Sequence, residues 1–245
     1  MTRRRFYAPP SAFADQTVTL AADEARHLRD VLRLQSGDEV YVFDGRGKEF
    51  RCRVASVSRN AVELRIEEEV EPAKPESQLQ LKLCVALLKG EKFDLVVQKT
   101  TELGVSKVVP LITRYADIHL RDASDATKRV NRWQRIALEA AKQSGRAFVP
   151  EITTPVDFDS ALAMDGVGVM FSERLGDSLK ALTKGPAPRS ITALVGSEGG
   201  WSDEEIEAAR ARDFHVVTLG GRILRAETAA ITVTALLQHL FGDLN

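Results

Sequence analysis

The spacing of apolar positions changes once along the chain, near residue 79. Before that point the period is two. DEVYVFDG (38–45), EFRCRVASV (49–57) and AVELRIEEEV (61–70) alternate apolar and polar side chains, as strands with one buried face do. Turn signals at SGD (36–38) and DGRG (44–47) separate them. One short helix fits DEARHLRDVLRL (23–34), where Leu28, Val31 and Leu32 share a face. These elements predict a small barrel-like β domain. EPAKPESQ (71–78) is polar, carries two prolines and reads as a linker.

Beyond it, continuous apolar runs alternate with helical patterns. LKLCVALL (81–88), KVVPLI (107–112), GVGVMF (166–171), ITALVG (191–196) and FHVVTL (214–219) read as strands apolar on both faces. Helices are predicted over 91–104, ended by Gly104; over 127–145, with Gly145 beyond its end; and over 202–212 and 226–241. Strands buried on both faces and interleaved with helices specify an α/β domain built on a parallel sheet. The expected domains are 1–72 and 73–245.

Composition narrows the class. With 44% hydrophobic and 28% charged residues among 245, the chain can bury a core and is not a disordered one. No apolar run reaches membrane-spanning length. The start, MTRRRFYAPP, is basic, but no apolar stretch follows, so no signal peptide is expected and a cytoplasmic location is. Cys52 and Cys84 form no metal pattern and are expected to be reduced thiols. A formal net charge of −1 neither demands a nucleic-acid partner nor excludes one, since a local patch suffices. Arg3, Arg4 and Arg5, with Arg26, Arg29 and Arg33, could bind phosphates while Phe6 and Tyr7 stack on a base; a solvated tail and an ordinary charged helix face fit the same residues.

Ligands of open parallel sheets bind outside the carboxyl ends of the strands. Three strands here end in unusual loops: FSERLG (171–176), GSEGGWSDEE (196–205) and GGRILRA (220–226). In the second, glycines allow close backbone approach, and Ser202 with Glu205 forms a capping box; a tight, well-capped turn would account for the same residues. In the third, Arg222 and Arg225 stand at a helix N-terminus, which prefers anions. Glu227 could pair with one; the other would favour a phosphate or a base carbonyl. There is no GxGxxG after a strand, no Walker A sequence, no Ser/His/Asp set and no metal-ligand spacing, which disfavours nicotinamide and nucleoside-triphosphate chemistry.

LVGSEGGWSDEEI (194–206) followed by LGGRILRAETA (219–229) resembles the ribosomal RNA small subunit methyltransferase E family of the SPOUT superfamily. KGEKFDLVVQKTTELGVSKVVPL (89–111), RWQRIALEAAKQSGRAFVP (132–150) and HLRDVLRLQSGDEVYVFDGRG (27–47) extend the resemblance over most of the chain, the last of them to a PUA-like RNA-binding β-barrel. The family has proline in its GPEGG loop where Ser197 stands; serine tolerates the same backbone region, so the loop shape is expected to survive, somewhat loosened. The resemblance implies a trefoil knot in the parallel-sheet domain, a homodimer, no metal, and S-adenosylmethionine as cofactor. The cofactor residues it implies are Ser172 in the first loop, Val195, Gly196, Glu198, Gly199 and Gly200 in the second, and Leu219, Gly220, Ile223, Leu224 and Thr228 around the third. The implied reaction is methylation of N3 of one uridine near the 3′ end of 16S ribosomal RNA in the small subunit. Neutral N3 has no free lone pair, so the site must favour loss of its proton; Arg225, with Arg222, is expected to stabilise the resulting anion or anchor its phosphate. Glu198 is a candidate proton acceptor or a shaper of its loop. The competing readings are a SPOUT methyltransferase acting on another RNA and a non-catalytic RNA-binding protein.

Overall fold

The computed structural model describes residues 3–59, 61–116, 118, 122–174 and 176–245, which fall into two compact units. The first unit is Met1–Glu76 with Ala141–Val149; the second is Ser77–Ala140 with Pro150–Asn245.

In the first unit six strands form one curled sheet. They are β1 (Arg5–Tyr7), β2 (Phe13–Ala14), β3 (Thr17–Ala21), β4 (Glu39–Phe43), β5 (Glu49–Val57) and β6 (Ala61–Val70), in the order β1-β4-β5-β6-β3-β2. Every pairing is antiparallel except β1 with β4. The inward positions of the alternating strands (Phe6, Val40, Val42, Val62 and Leu64) close one core with Leu20 and Leu28. The helix predicted over 23–34 is shorter than expected. Helix α1 (Ala22–Arg26) passes into a π-helical turn at His27–Val31, where the Leu32 amide donates to the His27 carbonyl at 3.0 Å. The wider turn rotates the side chains off the expected face: Leu28 stays buried while Val31 is 65% exposed.

In the second unit β7 (Gln80–Ala86), β8 (Lys107–Ile112), β9 (Glu151–Ile152), β10 (Val156–Asp157), β11 (Val167–Phe171), β12 (Asp177–Ser178), β13 (Ser190–Val195) and β14 (His215–Thr218) form one sheet. Its order is β10-β8-β7-β13-β11-β14-β12, with β9 beside β8, and all its pairs are parallel. Cys84, Met170, Leu194 and Val216 face Trp201, Ile206 and Phe214 in one core. Helices α2 (Lys92–Glu102), α3 (Ala123–Ser144), α4 (Phe158–Leu162), α5 (Asp203–Ala211) and α6 (Ala226–Phe241) complete the chain. Helix α3 begins four residues before the predicted 127, and α6 spans the predicted 226–241. Gln238 fixes the far end of α6: it donates to the Gly104 carbonyl and accepts from Ser77 Oγ, at 2.8 and 2.7 Å. Gly104 lies at φ +87°, and a Cβ there would meet Gln238 at 2.8 Å. Cys52 and Cys84 are buried free thiols, and burial pushes both up to about 12.

Candidate functional site

Register brings the three loops together. Phe171, the last residue of β11, lies opposite Val195 of β13 on one side and Val217 of β14 on the other. Three neighbouring parallel strands therefore end nearly level, and their loops open side by side at the carboxyl edge of the sheet.

Each loop is held by specific bonds. After β11, the Ser172 amide donates to the Val217 carbonyl at 2.9 Å. After β13, the chain turns at 197–200, where the Gly200 amide donates to the Ser197 carbonyl at 3.0 Å and Gly200 takes φ +71°. Trp201, fully buried, donates its indole N–H to the Phe171 carbonyl at 2.8 Å and so ties the second loop to the end of β11. The capping box predicted for α5 is present: Ser202 Oγ accepts from the Glu205 amide and Glu205 Oε2 from the Ser202 amide, at 3.2 and 2.8 Å. Glu205 Oε1 also accepts from the Arg114 amide at 3.0 Å, and Ser197 Oγ donates to the Tyr115 carbonyl at 2.9 Å. The serine standing at the family's proline position thus ties the second loop to the segment after β8. After β14, Gly220 takes φ +64°, and Arg225 becomes the N-cap of α6 without making a side-chain cap bond.

Two adjoining cavities result. The first is lined by Ser172, Gly196, Gly200, Leu219, Gly220 and Leu224, all expected from the sequence, and also by Phe171, Glu173, Ser197, Thr218, Arg222, Ala226 and Ala229. Glycine, alanine and serine make up much of its lining. The second is lined by Glu198, Gly199, Ile223 and Arg225 together with Lys92, and it shares Glu173, Ser197, Gly200, Leu224 and Ala226 with the first. Lys92, at the start of α2, forms an ion pair with Glu198.

Not every expected residue reaches a cavity. Val195 is buried at the end of β13, and Thr228 is exposed in the first turn of α6, lining neither. Glu227 pairs with neither arginine; its Oε2 is buried without a hydrogen-bond partner. Among the described residues neither Arg222 nor Arg225 has a carboxylate partner, and the two line different cavities.

The expected RNA residues of the first unit divide. Phe6 cannot stack on a base, because strand alternation turns it inward and it is 0% exposed in the core. Arg3 and Arg5 flank it and both pair at 3.0 Å with Glu49, which is itself 0% exposed. Tyr7 packs on Phe43 with ring centroids 5.5 Å apart. Arg29 pairs with Asp30 at 2.6 Å, while Arg4 and Arg33 are exposed.

Phe171 and Thr218, missed by sequence reasoning, are the final residues of their strands; the strand-end rule that selected the loops would have included them. Lys92 carries no such signal, since its partner is 106 positions away.

The fold and these cavities define a chain of two units, one a cofactor-binding parallel-sheet domain and the other a curled-sheet domain. The RNA methyltransferase domain family matches residues 75–238, and the PUA domain found in RNA methyltransferases matches 20–67. A Synechocystis protein called ribosomal RNA small subunit methyltransferase E is 34% identical over 96% of this chain and 77% of its own length. The enzyme of that name from Neisseria gonorrhoeae, solved with S-adenosyl methionine, is 33% identical, with full coverage of both chains and a TM-score of 0.87. A methyltransferase from Legionella pneumophila, also solved with that cofactor, is 32% identical with the same coverage and TM-score. The chain belongs to the RNA methyltransferase family, in its ribosomal RNA small subunit methyltransferase E branch.

Proposed function

We propose that the chain is an S-adenosylmethionine-dependent methyltransferase that methylates N3 of one uridine near the 3′ end of small-subunit ribosomal RNA. The observation that carries this reading is the pair of adjoining cavities with a common wall between them, each bordered by an arginine that has no carboxylate partner among the described residues. The first fits a nucleoside with an aliphatic arm. Its glycines admit a ligand against the main chain. Cofactor-bound relatives from Neisseria and Legionella support the same assignment.

When bound, the cofactor supplies a methyl group on positively charged sulfur. Ser172, Gly196, Gly200, Leu219, Gly220 and Leu224 hold it, and Arg222 flanks the same cavity. Gly199, Ile223 and Arg225 border the uridine's side. Arg225 faces the charge that develops on N3 and the ring carbonyls; a guanidinium fixed there before reaction stabilises it without reorganisation. Lys92 holds Glu198, so that carboxylate shapes the wall. Exposed Arg4 and Arg33 supply phosphate contacts from the first unit. Val195 and Thr228 line neither cavity and are given no ligand contact in this reading.

We further infer a cytoplasmic homodimer with a knotted C-terminal segment. Among the described residues no helix is long and apolar enough to cross a membrane. A cleft lined by Leu179, Leu236 and Leu240 on the outer side of α6 supports a subunit contact there; light scattering in solution tests it. The deciding experiment for the activity is transfer of labelled methyl to small ribosomal subunits from cells lacking this modification, with transfer RNA as control and nucleoside mass spectrometry as readout. N3-methyluridine at one ribosomal site is expected. Methylation of transfer RNA instead, or no transfer despite cofactor binding, overturns the substrate assignment.

A further inference from the structure

The reaction needs an acceptor for the N3 proton, and the boundary between the two cavities supplies a single candidate. Of the five residues lining both (Glu173, Ser197, Gly200, Leu224 and Ala226), only Glu173 carries a carboxylate that can accept a proton. Glu198 lines the second cavity alone, and its carboxylate is engaged by Lys92. The cation nearest Glu173 among the described residues is the adjacent Arg174, at 3.8 Å. That guanidinium is directed elsewhere: it pairs with Asp203 at 3.2 Å and donates to the Trp201 carbonyl. The Glu173 carboxylate lies directly over Gly200, where any Cβ would collide with its Oε1.

We propose that Glu173 is a catalytic residue that accepts the N3 proton as N3 takes the methyl group, an inference that rests on the uridine-N3 reading above. The step balances. The N3–H bond breaks and its proton joins a Glu173 oxygen; the freed N3 pair bonds to the methyl carbon; the methyl–sulfur pair stays on sulfur. The carboxylate's negative charge and the sulfonium's positive charge disappear together, so the step builds up no net charge. The carboxylic acid then returns its proton to solvent. Arg225, which lines the second cavity, stabilises the anionic base while the proton is in transit.

The test compares full-length wild type with Glu173→Gln and Glu173→Asp. It measures single-turnover methyl transfer to unmodified small subunits across pH and, separately, cofactor affinity by calorimetry. Glu173→Gln keeps the side-chain shape, so cofactor affinity is expected to stay within about 3-fold while the rate falls roughly 100-fold or more. The rate of the Gln variant should rise between about pH 7 and pH 9, as uridine ionises without help, while the wild-type rate stays nearly flat. Glu173→Asp should keep part of the activity and the wild-type pH profile. A Gln variant with the wild-type rate and profile overturns the assignment. So does one whose cofactor affinity falls as far as its rate, which would make Glu173 a cofactor ligand. Wild type that binds cofactor yet forms no N3-methyluridine overturns the uridine reading and this inference with it, an outcome distinct from an active wild type matched by its Gln variant.

Discussion

Two arginine pairs lie at opposite ends of this chain, and they have opposite fates. Arg3 and Arg5 reach one fully buried carboxylate, Glu49, and their guanidinium carbons stand 4.7 Å from the ring centroids of Tyr41 and Phe43. Glu49 also accepts from the Ala73 amide at 3.0 Å, so its charge is fully engaged by the protein. Arg222 and Arg225 have no such carboxylate among the described residues, although Glu227 is close in sequence. The same side chain is cement in one place and an open binding group in the other. The difference lies in whether a buried anion was placed opposite it. A cation whose charge the protein has already neutralised has little left for a ligand, and a cation left unmatched on a cavity wall is stabilised when an anion arrives.

The largest expected effect tests the first half of that contrast. Glu49→Ala strands two arginines, one of which has only 9% of its side chain exposed, and removes the acceptor of the Ala73 amide. A loss of about 3–5 kcal/mol is expected, read as a lower denaturant midpoint at unchanged slope. A midpoint equal to wild type would mean that the pair is not structural and would return Arg3 and Arg5 to the RNA face.

The second half is tested by the loop arginines one at a time. Arg225→Ala is expected to lower kcat by about 100–1000-fold, with cofactor affinity nearly intact. Folding stability should move by no more than about 0.5 kcal/mol, since the residue is exposed and unpaired. Arg222→Ala borders the other cavity, and its main effect should be weaker cofactor binding, by about 10-fold, the scale of one charge-assisted hydrogen bond. Equal losses of kcat and affinity in both variants would erase the division between the cavities.

The sequence showed both arginine clusters but not their fates, because fate depends on long-range partners: Glu49 lies 46 positions from Arg3, and Lys92 lies 106 from Glu198. What was legible was local. Helix α6 and the Ser202–Glu205 capping box depend on neighbours within a few positions, and both stand as read. The loops at the strand ends were legible because long parallel strands announce themselves as apolar runs. Phe6 was misread because β1 has only three residues, too few to display the alternation that would have turned it inward. The π turn at His27–Val31 was illegible for another reason: it shifts the helical phase without any glycine or proline to mark it.

The smallest expected effect sharpens the comparison by replacing charge with a neutral bond. Ser197 lines both cavities and donates to the Tyr115 carbonyl at 2.9 Å, while Tyr115 sits so close over Gly199 that a Cβ there would meet its own Cβ at 2.8 Å. Hydroxyl and tyrosine together fix the second loop against the segment after β8. Ser197→Ala removes one neutral, partly solvated hydrogen bond, so a stability loss of about 0.5–1 kcal/mol is expected, with cofactor affinity changed less than about 3-fold. Both are read from one thermal scan series with and without cofactor, since ligand binding raises the transition in proportion to affinity. The tether is internal to the protein, and its loss should soften the loop without removing a ligand contact. If Ser197→Ala instead weakens cofactor binding as much as Arg222→Ala does, the hydroxyl bonds the ligand directly. The departure from the family's proline would then have created a contact, where the structure shows a brace.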